Sequence, residues 1–214
     1  MVERQLRAGG IADERVLAAM AEVPREDFVP ERVRGQAYAD GALPIGHGQT
    51  ISQPWVVAAI CSALELKGGE RVLEVGGGSG YSTAIVAALV RPGGVVRSYE
   101  LVPELADRAR ETLARLSYRE AEVIAGDWAS QPEQGWDAIA VHAAAPGLPP
   151  SLAELLRPGG RLVVPLATGN ADVLTALRRV DDGSEGEVAL DRTEIAECRF
   201  VPLLGESGFA SRDR

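Results

Sequence analysis

The chain has 214 residues, of which 46% are hydrophobic, and its formal net charge is -9 at pH 7. This length and apolar content are enough for one buried core, so we expect a single domain. The negative charge repels phosphate backbones and argues against nucleic acid as the main partner. Apolar stretches fall short of the ~20 residues that span a bilayer, and the N-terminal residues lack the order of a secretory signal. We therefore predict a cytoplasmic protein without a membrane-spanning helix.

The sequence of the N-terminal quarter predicts one helix followed by an irregular segment that packs on the core. Asp13 is a suitable N-cap for a helix over residues 14–22. The Pro- and Gly-rich passage 24–54 is too apolar for a solvated linker, so we expect it to drape over the core and to form a substrate wall. Its apolar residues include Phe28, Tyr38, Leu43, Ile45 and Ile51. A further helix is expected to begin near Pro54.

From about residue 70 the chain alternates short apolar runs with longer amphipathic segments. This alternation is typical of an α/β fold, in which a mostly parallel sheet carries crossover helices on both faces. The predicted strands are residues 71–75, 95–99, 121–124, 137–141 and 161–165. The clearest helices are 81–90 and 103–116, where Pro103 suits the first helical position.

The C-terminal part predicts antiparallel strands over 172–180 and 187–200, separated by a turn at 181–186. We accordingly divide the single domain into segments 1–54, 55–166 and 167–214. The two cysteines, Cys61 and Cys198, lie far apart and match no metal-ligand spacing. We expect both to be buried thiols, with no disulfide and no metal site.

The clearest motif is a glycine loop between the first predicted strand of the core and the helix after it. Gly76, Gly78 and Gly80, with Ser79 among them, let the backbone turn tightly and approach a ligand closely. Glu74 ends the strand just before these glycines, where a carboxylate would repel a pyrophosphate and attract a cationic amino acid group. The loop therefore favours S-adenosylmethionine over NAD and indicates a Rossmann-like methyltransferase.

Acidic residues also follow the next two predicted strands. Glu100, beside Leu101, lies 20 residues after Gly80, close to where an acidic residue accepts ribose hydroxyls in this architecture. Asp127 is placed to accept a hydrogen bond from an adenine amine, and Trp128 to stack on the ligand or seal the rim. Each residue alone is equally explained as a surface charge or a turn residue. Together, at the ends of successive strands, they indicate one crevice.

Several motifs resemble the protein-L-isoaspartate O-methyltransferase family, and the likeness covers nearly the whole chain. Besides the glycine loop they are Val23-Pro-Arg-Glu26, Phe28-Val-Pro30, Ala37-Tyr-Ala-Asp40, Leu43-Pro-Ile-Gly46, Gly48-Gln-Thr-Ile-Ser-Gln-Pro54, Gly159-Gly-Arg-Leu162 and Phe200-Val-Pro-Leu203. The resemblance implies methyl transfer from S-adenosylmethionine to a peptide or protein carboxylate, usually that of an L-isoaspartyl residue. The resulting ester closes to a succinimide, which opens to aspartate or isoaspartate, so the implied role is protein repair.

The resemblance also implies which residues meet the acceptor. The substrate-contacting hydroxyl of the family maps to Ser52, so Ser52 and the nearby Thr50 are the predicted catalytic residues, flanked by Ile51 and Gln53 as substrate contacts. A carboxylate with a pKa near ~4 is already ionised at neutral pH, so it needs alignment rather than a base. An alternative role for Ser52 is to cap the helix that begins near Pro54.

One of the two histidines, His142, and two further positions set this chain apart from the family pattern. His142 and Ala143 directly follow a predicted strand, at the edge of the sheet where ligands usually bind, so both are predicted substrate contacts. His47 is expected to be structural. The family commonly has Thr or Ala at Gly77, Gly at Trp128, and a small residue or threonine at His142. These changes cluster around the pocket, and the segment 129–135 is shorter than the usual family loop.

These changes leave other functions open. A specialised relative that methylates an aspartate of a ribosomally made precursor peptide, during natural-product maturation, would have pocket changes of this kind. A catalytically silent cofactor-binding or interaction module is a hypothesis of another class, and the intact set of predicted site residues argues against it. A nicotinamide oxidoreductase should show Gly-x-Gly-x-x-Gly, whereas this chain has Gly76-Gly-Gly-Ser-Gly80. A nucleic-acid base methyltransferase should have an Asn- or Asp-Pro-Pro-aromatic segment, which is missing before His142.

Overall fold

The computed structural model describes residues 1–130, 133–169, 171–180, 188–205 and 208–209. Its helices are α1 (Glu14–Glu22), α2 (Pro54–Leu64), α3 (Tyr81–Leu89), α4 (Pro103–Arg115) and α5 (Pro150–Leu155). Its strands are β1 (Leu43–Gly46), β2 (Gln49–Ile51), β3 (Arg71–Val75), β4 (Val95–Glu100), β5 (Ala121–Ala125), β6 (Trp136–Val141), β7 (Leu156–Ala167), β8 (Asp172–Arg179) and β9 (Leu190–Cys198). Short helical turns lie at Val2–Arg7, Arg25–Phe28, Glu31–Gln36 and Trp128–Ser130. The predicted turn at 181–186 lies outside the described residues.

Seven strands form one sheet in the order β5-β4-β3-β6-β7-β8-β9. The first five pair in parallel, and β8 is antiparallel to both β7 and β9. The predicted α/β fold, with a mostly parallel sheet and C-terminal antiparallel strands, is therefore confirmed.

The strand order reverses between β3 and β6. From β3 the chain continues outward to β4 and β5, whereas β6 lies on the other side of β3. The register places Val75, the last residue of β3, opposite Tyr99 of β4 and Val141 of β6. The segments after these three strands therefore emerge together at a topological switch point, where open α/β sheets bind their ligands.

Both faces of the sheet are covered by apolar side chains. Along β3, Val72 packs into one hydrophobic cluster and Leu73 into the other, because successive side chains of a strand point to opposite faces. Residues of α1 to α4 fill the first cluster, and Leu152 of α5 with Trp128 and Trp136 fills the second. This burial on both faces explains why apolar residues occupy successive positions along β3 and β6.

Two helix starts agree with the sequence. The side chain of Asp13 caps α1 by accepting hydrogen bonds from the backbone N–H groups of Arg15 and Val16. Pro103 is the first residue of α4, where its missing N–H has no helical partner to lose. The predicted ends of α3 and α4 are each one residue too long, because Val90 and Leu116 are the C-caps.

The passage before α2 packs against the core as predicted, and it contains a hairpin that was not predicted. β1 and β2 pair antiparallel, and the turn joining them holds Gly46, His47 and Gly48, all with positive φ. Ile45 of β1 is 2% exposed, and its carbonyl accepts a hydrogen bond of 2.8 Å from Nη2 of Arg108 in α4. Tyr38 differs from the expectation of burial, since it is 42% exposed.

The cysteines divide between the core and the edge. Cys61 of α2 is buried, as predicted, and Cys198 is half-buried, so the prediction for Cys198 is wrong. Cys198 ends β9, the edge strand of the sheet, where one side has no neighbouring strand to cover it. Within the described ranges, none of the helices has the length and apolar character needed to cross a membrane.

Candidate functional site

A cavity opens at the carboxyl ends of β3, β4 and β6, the edge at which open α/β sheets bind their ligands. All of the predicted site residues except Glu74, Gly80 and Gln53 line it. The lining residues among the predictions are Thr50, Ile51, Ser52, Gly76, Gly78, Ser79, Glu100, Leu101, Asp127, Trp128, His142 and Ala143. The fold therefore brings together residues from β2, from the glycine loop and from the segments after β4, β5 and β6.

The glycine loop is tied to β4 by its backbone. The N–H of Gly76 donates to the carbonyl of Tyr99 over 2.8 Å, and the N–H of Gly78 donates to Oε2 of Glu100 over 2.9 Å. Both glycines have positive φ, at 83° and 56°, which residues with a Cβ rarely adopt. The loop is thus held open toward the cavity with little side-chain bulk in front of its backbone.

Gly80 has a different position from the other glycines of the loop. It is the N-cap of α3, with φ at 85°, and a Cβ placed there would lie 3.1 Å from Cβ of Ala109 in α4. Gly80 therefore permits close packing of α3 on α4 and does not line the cavity.

Glu100 presents a mostly buried carboxylate to the cavity. Its Oε1 accepts a hydrogen bond of 2.9 Å from the N–H of Val102, and its Oε2 accepts that of Gly78. Burial raises the pKa of Glu100 above its ordinary value, and the charge of Glu74 adds to the rise, while these backbone N–H groups oppose it. A carboxylate has about four lone-pair sites, so capacity remains to accept hydroxyl groups of a ligand.

Asp127 and Trp128 line the cavity after β5. Oδ1 of Asp127 accepts a hydrogen bond of 3.0 Å from the N–H of Ala129. A Cβ at Gly205 would overlap the Asp127 carboxylate, so the C-terminal segment lies directly against this side chain. The indole of Trp128 is 4% exposed and belongs to the core cluster around α5, which makes it a buried wall of the cavity.

Glu74 lies behind the cavity instead of lining it. Its side chain is fully buried in β3, with its Oε1 3.2 Å from Nε2 of His142 and its Oε2 accepting a hydrogen bond from the hydroxyl of Thr83. Burial opposes ionisation, but the contact with His142 and the hydroxyls of Ser82 and Ser98 outweigh it and hold the pKa of Glu74 below its ordinary value. The direct contact with a cationic ligand group that the sequence predicted does not fit this placement, because the carboxylate is enclosed by protein.

A second cavity, of about 720 Å³, adjoins the first near the end of β9. Thr50, Ser52, His142 and Val201 line both cavities and so form the wall between them. Gln53 lines only the second, where its Nε2 donates to Oδ1 of Asp40 over 2.7 Å. The predicted catalytic and substrate-contacting residues therefore gather where the two cavities meet, and His47 lines neither.

Ser52 does not cap α2. The N-cap of this helix is Gln53, without a side-chain hydrogen bond, so the alternative role predicted for Ser52 is wrong. The Ser52 carbonyl instead accepts a hydrogen bond of 2.7 Å from Nη2 of Arg25. Because the Ser52 hydroxyl does not cap the helix, it remains available to a ligand in either cavity.

Arg25 is a buried cation that the sequence did not single out. Its Nε donates to the carbonyl of Ala37 over 2.7 Å, and its guanidinium carbon lies 4.7 Å from the ring centroid of Tyr81. Tyr81 begins α3 and lines the first cavity. Arg25 therefore connects the segment of Ser52 to the helix that follows the glycine loop.

Further lining residues escaped the sequence prediction. They are Gln49, Val57, Val75, Gly77, Tyr81, Ser82, Tyr99, Val102, Gly126 and the run Val201, Pro202, Leu203 and Leu204. The family-like motifs Val23-Pro-Arg-Glu26 and Phe200-Val-Pro-Leu203 contain Arg25 and most of the C-terminal run. These motifs were the available indication that the two segments belong to the site.

Comparison of the sequence with known proteins gives one consistent result. The family model described as Protein-L-isoaspartate(D-aspartate) O-methyltransferase (PCMT) matches residues 1–208. The chain is 53% identical over 214 residues to Protein-L-isoaspartate O-methyltransferase 1 of Anaeromyxobacter sp. (strain Fw109-5), covering 97% of this chain and 96% of that protein. It is 48% identical over 212 residues to the Protein-L-isoaspartate O-methyltransferase of Aeropyrum pernix, covering 98% of this chain and 80% of that protein.

Solved structures agree with the sequence relatives. A protein-L-isoaspartate O-methyltransferase superposes with a TM-score of 0.84 at 27% identity, covering 97% of this chain and 67% of that one. A beta-aspartate methyltransferase (PCMT) from Plasmodium falciparum, solved in complex with S-adenosyl-L-homocysteine, superposes with a TM-score of 0.76 at 27% identity, covering 93% and 96%.

Proposed function

Because the chain belongs to the protein-L-isoaspartate(D-aspartate) O-methyltransferase family, we propose that it transfers a methyl group from S-adenosylmethionine to the carboxylate of L-isoaspartyl residues in peptides and proteins. The observation that carries the proposal is the wall of Thr50, Ser52 and His142 between two cavities. One cavity has the groups that suit the methyl donor, and the other offers room for a peptide acceptor. The product ester would close to a succinimide, so the proposed role is protein repair.

The first cavity fits S-adenosylmethionine. Glu100 is placed for hydroxyl groups, Asp127 for an amine, and the backbone of Gly76 and Gly78 for close approach of the ligand. We propose that these residues hold the cofactor together with Ser79, Leu101 and Trp128, while Gly80 and Glu74 support the loop from behind. When bound, S-adenosylmethionine supplies an electrophilic methyl group on its sulfonium.

The task of the protein in this reaction is alignment. The acceptor carboxylate is ionised at neutral pH, because its pKa is near ~4, so no residue has to remove a proton. The hydroxyl of Ser52 donates a hydrogen bond to the acceptor, and Thr50 and Ile51 complete that side of the wall, with Gln53 and Ala143 nearby. Fixing the geometry of two reactants in this way removes much of the entropic part of the barrier.

We expect purified protein to methylate an isoaspartyl peptide with labelled S-adenosylmethionine and to give a base-labile ester. The matched control is the same peptide with an ordinary aspartate. Labelling of the aspartyl peptide alone would overturn the repair function in favour of the specialised relative that acts on precursor peptides. This second function is retained as a candidate because Trp128 and His142 stand where the family has smaller residues.

Ser52→Ala is expected to lower turnover by about tenfold or more, since a hydrogen bond to a charged group is lost. Affinity for S-adenosylhomocysteine, measured by calorimetry, should stay within about twofold because the cofactor has its own contacts. Ser62→Ala is the matched control: this hydroxyl of α2 is buried and has no partner among the described residues, and it lines neither cavity. An equal loss of cofactor affinity in Ser52→Ala would contradict the assignment of Ser52 to the acceptor.

The cytoplasmic location and the division of the chain at residues 54 and 166 stay predictions. The proposed partner is a peptide or protein that carries isoaspartate or aspartate. We propose no nucleic-acid partner, in keeping with the net charge of -9.

A further inference from the structure

Glu74 and His142 form a buried pair at the switch point of the sheet. Glu74 is the fourth residue of β3, and His142 directly follows β6, the strand paired with it. Nε2 of His142 lies 3.2 Å from Oε1 of Glu74, and the side chains are 6% and 0% exposed. Neither of these two atoms makes a hydrogen bond among the described residues, so their contact is a close electrostatic approach without hydrogen-bond geometry. A buried polar atom without a hydrogen-bond partner costs free energy, and this approach of opposite polarity is the contact that offsets the cost.

The carboxylate of Glu74 is fixed from behind. Thr83 of α3 donates a hydrogen bond to its Oε2, and the fully buried Ser98 of β4 lies in the same cluster. Burial raises the pKa of Glu74, but the contact with His142, and after it the hydroxyls of Ser82 and Ser98, hold this pKa below its ordinary value, so the side chain carries a charge. A fixed charge against one ring nitrogen sets the orientation of an imidazole, as carboxylates do for functional histidines.

His142 separates this charge from the place where the acceptor meets the cofactor. The ring lines both cavities together with Ser52 and Thr50. With Nε2 facing Glu74, Nδ1 is the ring nitrogen that remains for a ligand. A second carboxylate brought to this wall would be repelled by Glu74, unless a proton-bearing group stood between the two. The doubly protonated ring presents an N–H to both carboxylates, because both of its nitrogens are donors.

We propose that His142, held by Glu74, binds the acceptor carboxylate and positions it beside Ser52. His142 makes the contact, and Glu74 is a positioning residue that acts through it. A small residue at this place, as in the family pattern, has no donor, and the hydroxyl of a threonine is a neutral donor with a shorter reach than the imidazole, so the pair is a determinant of acceptor choice in this chain. The inference rests on the proposed function, because it needs a carboxylate acceptor.

The test measures acceptor binding and cofactor binding separately. The variants are His142→Thr, His142→Asn, Glu74→Gln and the double variant Glu74→Gln with His142→Thr. An isoaspartyl peptide is titrated by calorimetry into protein saturated with S-adenosylhomocysteine, and kcat and KM are measured in parallel. Ser62→Ala is the matched control, because this buried hydroxyl of α2 makes no hydrogen bond to Glu74 or His142 and lines neither cavity.

We expect His142→Thr to raise the peptide Kd and KM by about tenfold to a hundredfold, with affinity for S-adenosylhomocysteine within about twofold. His142→Asn, whose amide keeps a donor near the position of Nδ1, should recover part of this loss. Glu74→Gln should weaken peptide binding in the wild-type background and have little effect in the His142→Thr background. Ser62→Ala should leave peptide KM close to the wild-type value.

The opposite outcomes are distinct. Unchanged peptide affinity in His142→Thr would overturn the inference while leaving the proposed function intact. Lost cofactor affinity in Glu74→Gln, with peptide affinity unchanged, would return Glu74 to a cofactor role. A wild-type protein that methylates neither the isoaspartyl nor the aspartyl peptide would overturn the proposed function itself, and the inference with it. Thermal unfolding of each variant identifies loss of the fold, and should Glu74→Gln not fold, the two His142 variants decide the outcome.

Discussion

Arg25→Ala is expected to lower the free energy of unfolding by about 3–5 kcal/mol and to reduce methyl transfer even where the variant remains folded. The guanidinium donates to the carbonyls of Ala37 and Ser52, and each buried carbonyl left without a donor costs about 1–3 kcal/mol. The substitution also removes the cation above the Tyr81 ring and leaves a void there. All of these interactions are lost at one place, the contact between the Ser52 segment and α3.

One effect works in the opposite direction. Arg25 is 0% exposed, its Nη1 has no partner among the described residues, and burial lowers the pKa of the guanidinium. Removing such a charge relieves a desolvation cost. The two orphaned carbonyls and the void are expected to cost more free energy than this relief returns. Two hydrogen bonds and the contact with the tyrosine ring already offset most of the desolvation cost of the guanidinium. Arg25→Met fills the void without donating, so its loss of stability should be smaller than that of alanine.

Chemical denaturation and steady-state kinetics measure the two effects. Arg15→Ala is the matched control, because Arg15 also donates to two carbonyls, those of Leu66 and Leu89, but it is exposed and lies away from both cavities. We expect Arg15→Ala to lower stability less and to leave peptide KM unchanged. If Arg25→Ala kept wild-type kcat and peptide KM, Arg25 would be a purely structural residue.

The sequence could predict the parallel strands at the centre of the sheet because β3, β4 and β6 are buried along most of their length. β3 agrees with its prediction, and β4 and β5 are each one residue longer than predicted. β7 was predicted over 161–165 and runs from Leu156 to Ala167, because pairing with β6 and β8 extends it beyond its apolar run. Local composition cannot show such an extension, since the neighbouring strands are distant in sequence.

The hairpin of β1 and β2 was missed for a different reason. Its strands have four and three residues, and Pro44 interrupts the first, so alternation of apolar and polar residues is too short to detect. The turn at Gly46, His47 and Gly48 has positive φ throughout, which two glycines alone do not predict. The hairpin forms because Ile45 and Ile51 reach the core.

The residues of the candidate site also divide into those that the sequence could predict and those that it could not. Residues that directly follow parallel strands, such as Glu100 and Asp127, could be predicted because strand ends meet at one edge of the sheet. The C-terminal run from Val201 reaches the cavity through a bridge between Ala144 and Pro202, a tertiary contact with no local pattern. The burial of Glu74 behind the loop was equally hidden, because a strand-end carboxylate has the same sequence pattern whether it faces the ligand or the core.

Glu100 decides whether the first cavity is a nucleoside site. We expect Glu100→Gln to weaken S-adenosylhomocysteine binding by about tenfold to a hundredfold, because an amide replaces a charged acceptor that also holds the N–H groups of Gly78 and Val102. Glu122→Gln is the matched control: the side chain is 60% exposed on β5, it lines neither cavity near the glycine loop, and its loss should not change affinity.

The pH dependence of binding gives a second, independent measurement on Glu100. Burial raises the pKa of this carboxyl above its ordinary value of 4.5, so the folded protein takes up the proton at a higher pH than the unfolded chain does. The charged form accepts hydroxyl groups best, so affinity for S-adenosylhomocysteine should fall as the pH drops through the raised pKa toward 4.5. Glu100→Gln cannot titrate, so it should flatten this fall in calorimetry across that range. A wild-type protein whose affinity did not change on acidification would show that Glu100 does not serve a ribose in this cavity. Preferential binding of NAD would instead overturn the choice of S-adenosylmethionine as the cofactor.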